Sequence, residues 1–475
     1  MPRNMPPSSL CSYSFILAFS LVLGGACQSP DDAPDGAEVS DSADQAGDDA
    51  DDDAGDSLDE ATSAGPSSAD AGDSADDDAG SGAGDDTSDE SGDSGDDTGD
   101  SGDDTGDSGD DAGVLDLPTP AFNYSPELPA HYRVPLVHEY DNTSVDNSIT
   151  DAGATLGRVL FYDTALSANE TVACASCHQQ ELGFADDAAF SEGFAGGLTG
   201  RNSMGLADAR WYASGRFFWD ERAATLEEQV LGPIQNEVEM GLTLGELVTR
   251  VGERGYYRDL FAAAFGDEEV TSDRISRALA QFVRAMSAHR SRFDVGLASV
   301  DSIAAPFPNF TQAENQGKAI FLGPQGACGA CHLPGPPPGP PPNQSFANEA
   351  IFSPIEPLNN GLDAGPVESD NSVSDVTGDP QDNGLFKSHS LRNIAVTGPY
   401  MHDGRFATLA EVVDHYDHGV QAHPNLDPRL RGPNQQPRVL NLSPGEKAAL
   451  VAFLGTLTDD ELLTDPRFAD PFIRE

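Results

Sequence analysis

Basic residues are scarce in this chain. Lysine and arginine together number 25 against 81 aspartates and glutamates, a formal net charge of -56 over 475 residues. Nucleic-acid binding draws on Lys and Arg contacts to phosphate, so the composition argues against that class of partner. The shortage is most extreme between residues 31 and 111, which hold 32 of the acidic residues and no Lys or Arg. Long apolar runs are also scarce. The clearest, Phe15 to Leu23, is too short for a comfortable membrane span. Cysteine is limited to six residues. Four sit in two pentapeptides and the others are Cys11 and Cys27, so no pair remains for a disulfide in the folded part. Patterning for β-sheet is poor.

The N-terminus reads as an address. Arg3 precedes the apolar run, which is followed by Gly24, Gly25, Ala26 and Cys27. Residues 1–27 are expected to be an export signal of lipoprotein type, with Cys27 lipidated. Two departures stand: Gly24 occupies a position where such signals usually carry Leu, and the basic region is weak. Ordinary cleaved export and a retained anchor are the alternatives. All three place the protein outside the cytoplasm, in the periplasm or at the cell surface. Membrane attachment is then expected only through a lipid, on a bacterial outer membrane. Residues 28–116 are rich in Asp, Ser and Gly, and a Ser-Gly-Asp-Asp-Thr-Gly-Asp unit at Ser94 recurs at Ser101. No apolar position marks a coiled-coil seam or the calcium-binding nonapeptide repeat. A disordered, self-repelling tether is expected.

From residue 117 onward the composition is globular, and helix signals dominate. Thr or Ser followed three residues later by Glu is a capping box, because each side chain satisfies an orphan backbone N–H. It occurs at Thr225/Glu228, Thr243/Glu246, Thr311/Glu314, Thr408/Glu411 and Ser443/Glu446. The longest expected helix runs from 272 to 291, with Ile275, Leu279, Phe282, Val283 and Met286 on one stripe. The fold class is therefore mainly α with long loops. Roughly 360 residues suit two domains, and we place them at 117–300 and 301–475. The Pro/Gly stretch from Pro334 to Pro342 reads as a surface loop.

The chemistry is announced by Cys174-Ala175-Ser176-Cys177-His178 and Cys328-Gly329-Ala330-Cys331-His332. Cys-x-x-Cys-His is the attachment signature of c-type haem, in which both thiols join the porphyrin and the His nitrogen binds iron. Zinc is a weaker reading, since no second Cys or His pair follows at short spacing. A thioredoxin-like dithiol is weaker still, without a βαβ context. Each motif is preceded by a Gly inside an apolar helical stripe, Leu156–Phe161 in one case and Gln316–Phe321 in the other. Two haem c groups in two related halves are expected.

Several motifs in order then carry a family resemblance. LGRVLFYD at Leu156–Asp163, RNS at Arg201–Ser203, FWDERA at Phe218–Ala223 and VEM at Val238–Met240 surround the first pentapeptide. SLRNIA at Ser390–Ala395, TGPYMHDG at Thr397–Gly404 and LAEVV at Leu409–Val413 follow the second. Together they resemble the bacterial di-haem cytochrome c peroxidases, a family that includes the protein-modifying MauG.

That resemblance implies two cytochrome c-like haem domains with different tasks. An N-terminal haem on Cys174, Cys177 and His178 reacts with hydrogen peroxide. A C-terminal haem on Cys328, Cys331 and His332 relays electrons. Many such peroxidases hold a distal His on the first haem until reduction releases it, yet residues 179–220 contain no His. An open first haem is expected. Glu239 falls at the family's catalytic acid–base position, and Gln229 and Pro233 match its distal pocket. Trp219 falls between the haems as an electron relay, whereas Trp211 reads as core or surface. Tyr416 stands where typical members have the Met ligand of the second iron, as in MauG. Met401 is the alternative, with His402, His415 and His418 behind it. Asn202, Thr397 and Pro399 match calcium-binding positions, and the family also implies a homodimer.

Three functions follow. A peroxidase would reduce hydrogen peroxide with electrons from a small cytochrome c or cupredoxin. A MauG-like enzyme would oxidise residues of a partner protein. A non-enzymatic electron carrier would need neither Glu239 nor an open iron. The first is the favoured expectation.

Overall fold

The computed structural model describes residues 114–334, 348–367 and 369–474. The chain divides into Met1–Gly99 and Asp100–Glu475, and every described residue belongs to the second unit. The export signal, Cys27, most of the acidic tether and residues 335–342 of the Pro/Gly stretch lie outside the described residues. The fold is mainly helical, and among the described residues only isolated β-bridges occur. No described helix is long and apolar enough to cross a membrane.

Two hydrophobic cores repeat one plan. In the first, the Asp151–Tyr162 helix packs on the Ser272–Ala285 helix, and Leu156, Val159, Leu160, Ala278, Leu279 and Phe282 are almost wholly buried. In the second, the Gln312–Leu322 helix packs on the Pro444–Gly455 helix, around Ile320, Phe321, Leu450 and Phe453. Glycine makes both crossings possible. A Cβ on Gly157 would overlap the carbonyl oxygen of Ala278, and one on Gly317 would overlap that of Ala449. Each Gly also faces the Cβ of a phenylalanine, Phe282 or Phe453 respectively. The glycine common to the two sequence stripes is therefore a point of backbone contact between helices. The cores divide between Ala288 and Phe293, although Leu462 and Phe468 return to the first core.

Four of the five expected capping boxes form with both bonds, at Thr243, Thr311, Thr408 and Ser443. At Thr225 only half forms. Its hydroxyl accepts from Glu228, but Glu228 accepts the N–H of Ala224 instead of closing the box. The longest helix ends at Ala285, not at 291. Buried carboxylates from elsewhere capture the N–H groups that would have continued it. Asp208 takes Ala288 at 3.1 Å, and Asp459 takes His289 and Arg290, each at 2.9 Å. Tertiary acceptors outbid the local periodicity.

Candidate active site

The first pentapeptide forms one helical turn, Cys174–Cys177, ahead of His178. The hydroxyl of Ser203 donates to the Cys177 carbonyl at 2.6 Å. Nδ1 of His178 lies 2.8 Å from the carbonyl oxygen of Phe184 and must carry the proton there, which leaves Nε2 as a bare donor atom. Burial pushes the His178 pKa down, favouring the neutral imidazole that binds metals.

Cys177 and His178 line a cavity of about 460 Å³. The same cavity is lined by Trp219, Gln229, Pro233 and Glu239, all singled out from the sequence and all within residues 219–239. Gln229 ends the Leu226–Gln229 helix. Glu239 follows a turn in which Asn236 Oδ1 accepts the N–H groups of Val238 at 2.8 Å and Glu239 at 3.1 Å. Its neighbour Glu237 is exposed and does not line the cavity. Burial raises the Glu239 pKa, and the Arg222 charge offsets part of that rise. The carboxyl is thus poised nearer neutrality than an exposed one. Arg222 itself stacks over the Phe218 ring, 3.5 Å from its centre.

Cys328 and His332 line a second, narrower cavity of about 140 Å³ with apolar walls that include Leu358, Leu391, Ile394 and Val413. Tyr416 and Met401 both reach it. Tyr416 lies in a single π-turn, His415–Gly419, that widens the end of the Leu409–Asp414 helix; such turns are frequent at functional sites. Met401 adopts a left-handed φ of 76°. The Asn360 amide lies 3.4 Å from the Tyr416 hydroxyl and 3.5 Å from the Met401 sulfur. Burial pushes the phenol of Tyr416 up to about 12, with Asn360 pulling the other way. Of the remaining alternatives, His402 lines the cavity. His415 turns to the Asn360 carbonyl at 3.1 Å, and His418 is exposed.

Both cavities suit haem c by their donor sets. Each presents a thiol and the imidazole of one pentapeptide, Cys177 with His178 and Cys328 with His332, and none of the four cysteines is in a disulfide.

Among the described residues, Trp219, Lys387 and His389 line both cavities. The Trp219 indole N–H donates to the Asn202 carbonyl at 2.8 Å, and its ring meets His389 edge to face at 6.0 Å. Trp211, by contrast, is core: it is 2% exposed, and its N–H donates to Ser287 at 3.2 Å. Asn360, Lys387 and His389 were missed from sequence. None belongs to a motif whose spacing marks it, and only folding carries them to the cavities. Asn202 adjoins the loop bearing Thr397 and Pro399, through its N–H to the His402 carbonyl at 2.8 Å. The Asn202 side-chain amide donates to Ala188 and Ala189.

A sequence model described as di-haem cytochrome c peroxidase matches residues 151–301. The cytochrome c551 peroxidase of Nitrosomonas europaea is 35% identical over 315 residues, spanning 65% of this chain and 80% of that protein. The chain belongs to the di-haem cytochrome c peroxidase family. Other members lie close to it. The methylamine utilization protein MauG of Paracoccus denitrificans is 33% identical over 371 residues, 67% of this chain and 92% of that one. A crystal structure of a MauG-like protein associated with microbial copper homeostasis superposes with a TM-score of 0.59 at 33% identity, covering 74% of this chain and 99% of that chain. Membership of this family of oxidoreductases implies two c-type haems.

Proposed function

We propose that this protein reduces hydrogen peroxide to water with electrons from a small cytochrome c or cupredoxin. Electrons enter at the second cavity and pass by Trp219 to the first. One observation carries the reading: Glu239, Gln229, Pro233 and His178 converge on one cavity, and Trp219 is shared with the other. Haem bound there would supply the redox chemistry of peroxide cleavage. Glu239 would take the proton from one peroxide oxygen and return it to the other. Gln229 would orient the peroxide by hydrogen bonding, and Pro233, with no N–H, would help to limit water. Trp219 would relay charge, its indole held by Asn202.

The test is steady-state turnover of the haem-loaded protein with reduced cytochrome c, together with electron paramagnetic resonance of the resting ferric state. One high-spin and one low-spin signal are expected. Two low-spin signals would overturn the open first iron. Trp219→Phe should leave both signals in place while slowing reduction of the first haem by the second at least tenfold in stopped-flow absorbance.

A second reading, oxidation of a partner protein as in MauG, is favoured by Tyr416 in the second cavity. An anionic oxygen ligand stabilises more highly oxidised iron than Met does. We assign the distal position to Tyr416. Tyr416→Met should raise the potential of the second haem and introduce a Met–iron absorption band, whereas Met401→Leu should leave the resting spectrum unchanged. The reverse pattern would assign Met401. Absence of turnover with any small donor, beside covalent change in a co-expressed protein, would favour the MauG-like reading.

The remaining expectations are proposals on the same footing. The division of the cores between Ala288 and Phe293 supports two haem domains that meet near residue 300, with Leu462 and Phe468 crossing back. Asn202 beside the Thr397–Pro399 loop supports a calcium ion held by side-chain and backbone oxygens. Lipidation at Cys27 and the acidic tether would hold the enzyme outside the cytoplasm, on an outer membrane, as a homodimer. The acidic surface would steer a basic donor.

A further inference from the structure

The wall between the two cavities contains a cation without an anion. Lys387 is 4% exposed. No carboxylate lies within ion-pair distance of its Nζ among the described residues. Its neighbours are the Met204 sulfur at 3.9 Å and the face of the Tyr212 ring at 4.0 Å. Glu221, an acid close enough to be felt, is committed to the hydroxyls of Tyr212 at 2.6 Å and Ser214 at 2.9 Å. Two residues on, His389 has an Nε2 with no hydrogen-bond partner among the described residues. Both side chains border both cavities. The main chain locks this segment to the relay residue, because the Lys387 N–H donates to the Trp219 carbonyl at 2.8 Å.

Burying an unpaired ammonium is expensive, and an unpaired imidazole nitrogen adds to the cost. Both costs are removed if an anion completes the wall. Each haem carries two propionate carboxylates, so a cofactor in either cavity brings anions of the right kind. We propose that Lys387 and His389 form a shared carboxylate-binding bridge that takes a propionate from the cofactor of each cavity. This rests on the two-haem reading above. The bridge ties the two cofactors electrostatically to one cation beside Trp219, so a change at Lys387 is felt at both.

The test uses the full-length holoprotein, with haem content per chain measured first. Fewer than two haems in the wild type would fail the two-haem reading and the bridge with it, whereas the measurements on two-haem protein below fail the bridge alone. In Lys387→Met carrying two haems, spectroelectrochemistry should show both potentials falling. Loss of a nearby cation favours the ferric form, and a tenfold shift in each ferric/ferrous ratio corresponds to about 59 mV. Lys387→Arg should restore most of both shifts, which a purely structural role would not do. Movement of one potential alone, or of neither, would overturn the bridge. So would wild-type potentials that follow added acetate, because a soluble anion would then be the occupant. His389→Gln should alter the resonance Raman propionate bands without changing either spin state. A spin-state change would mean that His389 binds iron and would also overturn it.

Discussion

Replacing Glu239 with Gln should lower kcat/KM for peroxide by 10²- to 10⁴-fold, the usual contribution of a positioned proton-transfer group, while haem content and resting spectra stay as they are. The side chain keeps its size and loses only the capacity to accept a proton. Glu237→Gln is the matched control, since Glu237 is exposed and away from the cavity. The pH dependence follows from the direction of the Glu239 shift. Burial raises its pKa, so the ionised form, which must receive the proton, is lost on acidification sooner than from an exposed glutamate. Activity should fall as pH drops through that raised value, and the acid limb should vanish in Glu239→Gln. Stability runs the other way. A carboxyl with a raised folded-state pKa binds its proton more readily folded than unfolded, so it lowers stability as pH rises past that value. Glu239→Gln should therefore melt no lower than wild type at pH 7. A clear loss of melting temperature there would recast Glu239 as a structural residue.

Gly317→Val should destabilise the protein by about 3 kcal/mol, the upper range for forcing atoms into a packed interface. The first atom added would overlap the Ala449 carbonyl, and backbone cannot step aside as a flexible side chain can. The Gln312–Leu322 and Pro444–Gly455 helices would have to part, opening the core around Phe321 and Phe453. Gly157→Val should do the same to the first core through Ala278. Differential scanning calorimetry of the haem-loaded variants checks both, with Gly445→Val as the control, because nothing lies within 4 Å of a Cβ there. If Gly317→Val and Gly445→Val melt alike, the close crossing does not limit the fold.

Much of this protein was legible residue by residue. Covalent haem attachment needs two thiols and a His at fixed spacing, so Cys174–His178 and Cys328–His332 declare themselves without a fold. Capping boxes are equally local, and four of five formed as written. The stripe from Ile275 to Met286 marked a helix correctly but not its end, because Asp208 and Asp459, distant in sequence, take the next N–H groups. The family pattern directed attention to Glu239, Gln229, Trp219 and Tyr416, which line the two cavities.

The sequence by itself determined the cofactor chemistry and the helical class. Both rest on short-range spacing and on residue type. Only the tertiary structure decided which side chains share a wall. Lys387, His389 and Asn360 carry no signal of their own in the chain. They matter because two helical cores bring distant loops together around Trp219, and a buried polar group takes its meaning from what stands within a few ångströms of it.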